Sequence, residues 1–151
     1  MEILHIEDLT FRYPDAPRPA LQNVSLSVSD GEFAVICGVS GCGKSTLGRT
    51  ILNLLPATSG EVIFDGVHVE NADRRQMRKL RQEMQIIFQD PFSSLDPRLS
   101  VSEIIMEPLE IYKIGSGRQE RQKRVEELMD TVGLARRLAN SYPHELDGGR
   151  R

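Results

Sequence analysis

The sequence predicts an α/β fold followed by a small helical part, and three observations support this. Residues 2–9 and 24–28 cluster β-forming side chains on either side of a proline-rich loop, which indicates antiparallel strands. An apolar run over Phe33–Cys37 predicts another strand, and a glycine-rich loop leads from it to apolar residues at helical spacing over 47–55. Helical patterns then dominate the chain beyond residue 100.

Turn-forming residues set the boundaries of the next elements. We expect Pro56 to end the first helix, and the Asp65-Gly66 pair to join two short strands within residues 59–69. A highly charged helix is predicted over residues 73–83, and the β-rich run "MQIIFQ" follows it. The first part of the chain is therefore predicted to be mixed α/β.

A break is predicted at Asp90-Pro91. We expect residues 1–90 to form the β part and the α/β core, and residues 91–147 to form a helical subdomain. Helices are predicted over residues 101–113 and 118–132, with Gly133 as the C-cap of the second. The predicted apolar face of that second helix consists of Val125, Leu128, Met129 and Val132.

Composition limits the class of protein. The 151 residues suit one compact domain, and 19 Lys plus Arg against 22 Asp plus Glu give no general attraction to nucleic acid. The N-terminus carries acids where a signal peptide carries bases, and no apolar run approaches the ~18 residues of a spanning helix. We therefore expect a cytoplasmic protein that contacts a membrane only through a partner. The basic runs after Asp73 and Gly117 either touch an acidic partner or are solvated helix faces.

A phosphate-binding loop is predicted at residues 38–46, "GVSGCGKST", which match G-x-x-x-x-G-K-[ST] between a strand and a helix. Glycines let successive N–H groups surround an anion, Lys44 reaches the β- and γ-phosphates, and Ser45 supplies a hydroxyl to Mg²⁺. The alternative is a glycine-rich turn with a chance lysine. The predicted ATP contacts in this loop are Gly38, Ser40, Gly41, Cys42, Gly43, Lys44, Ser45 and Thr46.

The two cysteines and two of the histidines are candidates for reactive or metal-binding groups. Cys42 is either a reactive thiolate beside a positive helix end or a small residue tolerated in a loop, and Cys37 is expected to be buried in a strand. His68 and His144 lack partner ligands at metal-binding spacing. We therefore assign no metal beyond the Mg²⁺ of the nucleotide.

Three longer segments resemble those of one family. Residues 88–98, "FQDPFSSLDPR", and 141–150, "SYPHELDGGR", resemble the glutamine loop and the signature motif of ABC ATPases, particularly the dipeptide, oligopeptide and nickel importer branch. Residues 11–28 resemble the adenine-stacking region of that family. The resemblance implies a P-loop NTPase fold of the ABC ATPase type, with Tyr13 stacking on adenine. If the resemblance is set aside, the alternative is that Tyr13 is an ordinary aromatic residue in a loop and that Gln89 is a solvent-facing residue at the end of a strand.

The resemblance also implies roles for residues outside the phosphate loop. Gln89 contacts Mg²⁺ or the attacking water, and residues 90–113 dock onto a membrane permease. Asp147, Gly148 and Gly149 occupy signature positions that contact ATP held by a second ABC ATPase subunit, identical or different. This chain reads "LDGGR" where the family has "LSGGQ", so a carboxylate at Asp147 opposes the phosphate charge.

The resemblance implies an ATP-hydrolysing, energy-coupling subunit of an ABC importer for peptides or a related small solute, peripheral at the inner face of the cell membrane. A non-catalytic or non-transport ABC-type nucleotide-binding module is the alternative, and a P-loop kinase lacks the "YPHEL" segment. In the family the Walker B Asp, the adjacent Glu and the switch His follow the signature. We therefore expect that the C-terminal part of the core is missing, that the chain is truncated after the signature motif, and that these 151 residues alone do not hydrolyse ATP.

Overall fold

The computed structural model describes residues 1–88 and 94–146. The chain divides into two compact units, residues 1–86 and residues 87–151.

The first unit contains an antiparallel sheet, in which β1 runs over Glu2–Phe11, β2 over Leu21–Ser29, β3 over Ser59–Phe64 and β4 over Val67–His68. The strand order is β2-β1-β3-β4. The predicted antiparallel strands are therefore present, and Asp65 begins the predicted turn between β3 and β4 with φ 47°.

An irregularity in β1 places its large side chains in the core. Ile6 and Leu9 lie three positions apart, yet both are buried, at 1% and 0% exposure. Regular pleating would send them to opposite faces. The register shifts between these two residues, and Asp8 adopts φ 48°, so the alternation is reset. The core of this unit consists of Ile6, Leu9, Phe11, Leu21, Leu47, Leu52, Val62, Val69, Met77, Leu80 and Met84.

Two α-helices complete the first unit. Helix α1 spans Lys44–Ile51 and helix α2 spans Arg74–Glu83. A capping box begins α2, because Gln76 N–H donates to the Asp73 carboxylate at 2.7 Å and the Asp73 N–H donates to the Gln76 side chain at 2.9 Å. A short 3-10 turn, Val69–Asn71, lies between β4 and α2.

Helix α1 ends before Pro56, so the predicted boundary is wrong. Asn53 adopts φ 50°, and its N–H donates to the Thr50 carbonyl at 3.0 Å. The Leu54 N–H donates to the Arg49 carbonyl at 2.9 Å. This pair of bonds is a Schellman motif with asparagine in the left-handed position, which ends the helix without the proline.

Two predicted strands are absent from the described residues. No strand is assigned over residues 32–42 or over residues 84–88. Phe33 is 90% exposed and Ile87 is 98% exposed. A strand needs a neighbour for its N–H and C=O groups, and the ladder β2-β1-β3-β4 supplies none to these runs. Cys37 is exposed, so its predicted burial in a strand is wrong for the same reason.

Within its described residues, the second unit contains two α-helices, α3 over Val101–Ile111 and α4 over Arg118–Thr131. Ser100 caps α3 and binds the Glu103 carboxylate at 2.7 Å, which lowers the pKa of Glu103. Short 3-10 turns follow at Arg136–Leu138 and Pro143–Glu145. The core of this unit consists of Val101, Leu109, Val125, Met129 and Leu146.

The end of α4 confirms one prediction and corrects another. Gly133 has φ 70° and its N–H donates to the Asp130 carbonyl at 3.1 Å, as expected of a C-cap glycine. Val132 is 74% exposed, because it is the residue at which the helix ends and it does not continue the buried face of Val125 and Met129. None of the helices in residues 1–88 and 94–146 is long and apolar enough to cross a membrane.

Candidate functional site

The predicted phosphate loop leads directly into helix α1. Gly43 is the N-cap of α1 with φ 100°, and Gly41 has φ 81°. Cys42 N–H donates to the Val39 carbonyl at 3.3 Å, which closes a tight turn inside the loop. Unpaired N–H groups at the start of a helix attract anions, so the loop leads to an end of α1 that favours phosphate.

Gly43 is required by its surroundings as well as by its backbone angles. A Cβ at this position would lie 2.6 Å from the Ala20 carbonyl oxygen and 3.1 Å from Leu21 Cδ2. The chain therefore packs against the start of β2 with no room for a side chain. At Gly38 a Cβ would meet the Cys42 sulfur at 2.5 Å. At Gly43 the close approach to a backbone oxygen excludes any side chain, whereas at Gly38 the contact is with the Cys42 side chain.

Lys44 connects the two sides of the loop. Its Nζ donates to the Gly38 carbonyl at 2.7 Å and to the Val39 carbonyl at 2.9 Å, and it lies 3.6 Å from the Cys42 sulfur. The ammonium group is therefore held inside the loop by backbone oxygens. This arrangement places a full positive charge among the groups that are predicted to surround the phosphates.

The hydroxyl residues after Lys44 differ in exposure. Ser45 is exposed on the first turn of α1, whereas Thr46 is buried, with only 9% of the residue exposed. Ser40, the remaining predicted hydroxyl contact, is exposed in the loop. Ser45 is thus accessible to a metal ion, and Thr46 lies against the protein.

The structure brings Tyr13 next to the phosphate loop. The Tyr13 hydroxyl forms a 3.4 Å hydrogen bond with Thr46 Oγ1, although the two residues are 33 positions apart. The Phe11 ring contacts Tyr13 edge to face, with 4.8 Å between centroids and an interplanar angle of 87°. Tyr13 remains 40% exposed, so part of its ring is available to a ligand. The sequence did not indicate the supporting role of Phe11, because the predicted strand ended at residue 9 whereas β1 extends to Phe11.

We expect Tyr13→Ala to weaken ATP binding by about 1–3 kcal/mol, the usual value of a base on an aromatic ring. Tyr13→Phe should bind ATP nearly as well as the wild type, because it keeps the ring and loses only the bond to Thr46. Titration of each variant with a fluorescent ATP analogue measures the difference. Equal affinity for Tyr13→Ala and wild type would show that adenine does not stack here.

Several predicted site residues lie outside the described residues. They are Gln89, Asp147, Gly148 and Gly149. Their assigned roles at Mg²⁺, at the attacking water and at the ATP of a second subunit therefore remain predictions. The described part of the segment 88–98 includes Asp96, whose carboxylate accepts two bonds from Arg98 at 3.0 and 2.7 Å. These bonds lower the pKa of Asp96 to about 2, so it is ionised at neutral pH.

The two histidines considered as metal ligands have different surroundings. His144 stacks on Tyr142, with 5.8 Å between ring centroids. The sequence offered His68 no partner ligands at metal-binding spacing, yet the fold brings two carboxylates to it. Its Nδ1 lies 3.1 Å from Glu70 Oε1 and 3.4 Å from Glu61 Oε2. The short β4 strand folds these residues together, which their spacing in the sequence did not indicate.

Comparison with known proteins decides the family. The family model for the ABC transporter matches residues 21–151, which is most of the chain. The chain belongs to the ABC transporter family. The curated relatives to which it is similar include oligopeptide transport and peptide import ATP-binding proteins.

Two relatives and one solved structure illustrate the similarity. The chain is 44% identical to the oligopeptide transport ATP-binding protein OppF of Bacillus subtilis over 152 residues, covering all of this chain and 50% of the relative. It is 40% identical to OppF of Haemophilus influenzae, covering 98% of this chain and 44% of the relative. The dimeric ATP-binding cassette MJ0796, solved with ADP and Pi, is 33% identical with a TM-score of 0.80, covering 98% of this chain and 65% of that one.

These matches confirm the predicted fold class for this member of the ABC transporter family. The chain spans about half the length of the curated relatives that it matches. What those relatives transport and assemble with is therefore carried over only as a proposal.

Proposed function

We propose that this chain is the ATP-binding, energy-coupling part of an ABC importer for peptides or a related small solute. One observation carries the proposal: a glycine-rich loop holds the Lys44 ammonium at the start of α1 in a chain of the ABC transporter family. The names of the relatives favour peptides as the solute class.

The residues present fit a magnesium nucleotide. The Lys44 ammonium and the N-terminus of α1 supply positive potential for phosphates. The exposed Ser45 hydroxyl is the described group that would ligate Mg²⁺, and Tyr13 would orient the base. Bound Mg²⁺ would neutralise the charge on the phosphate oxygens. Gln89 would complete the metal site.

The proposal includes two kinds of partner. A second ABC ATPase subunit would bind ATP through signature residues such as Asp147, and transmembrane permease subunits would hold the protein at the inner face of the membrane. The dimeric state of the cassette MJ0796 supports the first partner. The names of the transport relatives support the second.

Hydrolysis by the 151 residues alone is a separate matter, and its absence stays a prediction. The described site has groups that bind phosphate, whereas hydrolysis also requires a positioned water. Phosphate release with Mg-ATP should not exceed that of Lys44→Ala, which reports contaminating ATPases. Turnover well above that control would show that a group in this chain activates water and would remove the non-catalytic alternative.

Uptake in the host tests the proposed function directly. Deleting the gene that contains this sequence should abolish uptake of a labelled oligopeptide, and the intact gene, but not the same gene with Lys44→Ala, should restore it. Lys79→Ala, on the exposed face of α2, is the matched control and should restore uptake. Normal peptide uptake in the deletion strain, together with loss of another solute, would contradict the substrate class but not the transport role.

A further inference from the structure

We propose that Glu61, His68 and Glu70 form a binding site for a divalent transition-metal ion on the open face of the sheet. The site is separate from the phosphate loop. One ligand atom from each residue lies within 4.8 Å of the others. An imidazole nitrogen with two carboxylate oxygens is a donor set that suits zinc and its first-row neighbours.

The first argument is convergence on a single nitrogen. Glu70 Oε1 lies 3.1 Å and Glu61 Oε2 lies 3.4 Å from His68 Nδ1. A ring nitrogen carries at most one proton, so it can donate to only one of these oxygens at a time. A metal ion satisfies all three lone pairs together. Two ligand atoms that each lie about 2.0–2.2 Å from a zinc ion are separated from each other by distances close to the 3.1 and 3.4 Å found here. Small side-chain rotations would therefore be enough to place the three groups around one ion.

The second argument comes from the sheet register. Glu7 of β1 is the direct cross-strand partner of Glu61 of β3, and Ile63 is the partner of His68 of β4. Directly opposed side chains lie on the same face, and like charges in that position destabilise a sheet. Glu7 and Glu61 therefore face each other, and the bases beside them are histidines, His5 at 3.9 Å from Glu7 and His68 at 3.4 Å from Glu61. A bound cation beside Glu61 would offset this repulsion.

Glu70 is held in position by groups outside the cluster. The Val62 N–H donates to Glu70 Oε2 at 3.2 Å, and the Asn71 side-chain amide donates to Glu70 Oε1 at 3.3 Å. The Glu70 side chain is 26% exposed, less than Glu61 at 52% or His68 at 46%. Supporting bonds of this kind orient the ligands of metal sites and raise their affinity.

The same sheet provides a matched control in His5. This residue also has two carboxylate neighbours, but Glu2 approaches Nδ1 at 2.7 Å while Glu7 approaches Nε2 at 3.9 Å. The two nitrogens of one imidazole point in different directions, so these carboxylates cannot share an ion. His5 therefore has the same kinds of neighbouring group as His68, but they are not arranged to bind one metal ion.

Calorimetric titration of the 151-residue chain with Zn²⁺ tests the proposal. We expect one Zn²⁺ per chain, with affinity reduced by about tenfold or more in His68→Ala and in Glu61→Gln, and unchanged in His5→Ala. The exposed Cys37 and Cys42 are present in every variant, so differences between variants exclude their contribution. Equal Zn²⁺ affinity in wild type and His68→Ala, or equal loss in His5→Ala, would overturn the proposal.

Thermal unfolding provides an independent readout. Zn²⁺ should raise the Tm of the wild type and of His5→Ala, and it should leave the Tm of His68→Ala unchanged. Zn²⁺ should raise the Tm of Glu61→Gln less than it raises the Tm of the wild type, because one of the three ligands is lost. An equal rise in both proteins would show that Glu61 does not bind the metal. ATP affinity should be the same in these variants, so failure here leaves the proposed nucleotide site intact.

Discussion

Lys44→Ala is expected to abolish most of the ATP affinity of this chain. The Nζ of Lys44 is held inside the phosphate loop at 2.7 Å from the Gly38 carbonyl, so its charge lies where the phosphates are proposed to bind. Loss of a charge-assisted contact costs about 1.5–3 kcal/mol, or roughly 10- to 150-fold in Kd. Titration with a fluorescent ATP analogue in the presence of Mg²⁺ measures the change.

The control for this prediction is Lys79→Ala. Lys79 carries the same charge on the exposed face of α2, where general electrostatic attraction would act equally. Its affinity should match the wild type. Lys44 also bridges the Gly38 and Val39 carbonyls, so the melting curve of Lys44→Ala must show that the chain remains folded. Wild-type ATP affinity in a folded Lys44→Ala protein would contradict the phosphate-loop assignment.

The phosphate loop could be predicted from the sequence because its chemistry is local. The motif residues lie within nine consecutive positions, and the left-handed angles of Gly41 and Gly43 follow from the absence of a side chain. The antiparallel strands and the capped helix α2 were also predictable, since turns, caps and alternation act over a few residues. In these elements, local preference and tertiary structure agree.

Features that depend on distant groups could not be predicted in the same way. The contact between Tyr13 and Thr46 joins residues 33 positions apart, and the approach of Glu61 to His68 depends on the register of β3 and β4. The apolar run beginning at Phe33 has the composition of a strand, but a strand exists only with a paired neighbour. The composition of such a run shows that it favours a β-strand, but it does not show which strand it would pair with.

Gly60→Ala is expected to destabilise the first unit strongly. Gly60 of β3 lies opposite two residues of β1, Asp8 and Leu9, because the register shifts between the pairs Glu7↔Glu61 and Thr10↔Ser59. This is a β-bulge, and it is the same irregularity that places Leu9 in the core. Gly60 has φ 90°, and a Cβ here would lie 2.4 Å from the Asp8 carbonyl oxygen and 2.6 Å from Leu9 Cα.

These contacts are with backbone atoms, which cannot rotate away as a flexible side chain can. Relieving the clash in Gly60→Ala must therefore separate β1 from β3 or displace the bulge and the buried Leu9. Backbone strain and overpacking each cost about 1–3 kcal/mol, so we expect a total loss of about 2–6 kcal/mol and a Tm lower by roughly 4–24 °C. Urea and thermal unfolding followed by circular dichroism measure both quantities.

Gly66→Ala separates the steric effect from backbone strain. Gly66 also has positive φ, at 73°, but a Cβ there would have no atom within 4 Å. Only the strain of a left-handed alanine in the turn between β3 and β4 applies, so the expected loss is about 1–2 kcal/mol. If the two variants lose the same stability, the close approach of β1 to Gly60 is not what holds the bulge in place. If Gly60→Ala loses clearly more stability than Gly66→Ala, the bulge requires a residue without a side chain at position 60. The burial of Leu9 then depends on the same glycine.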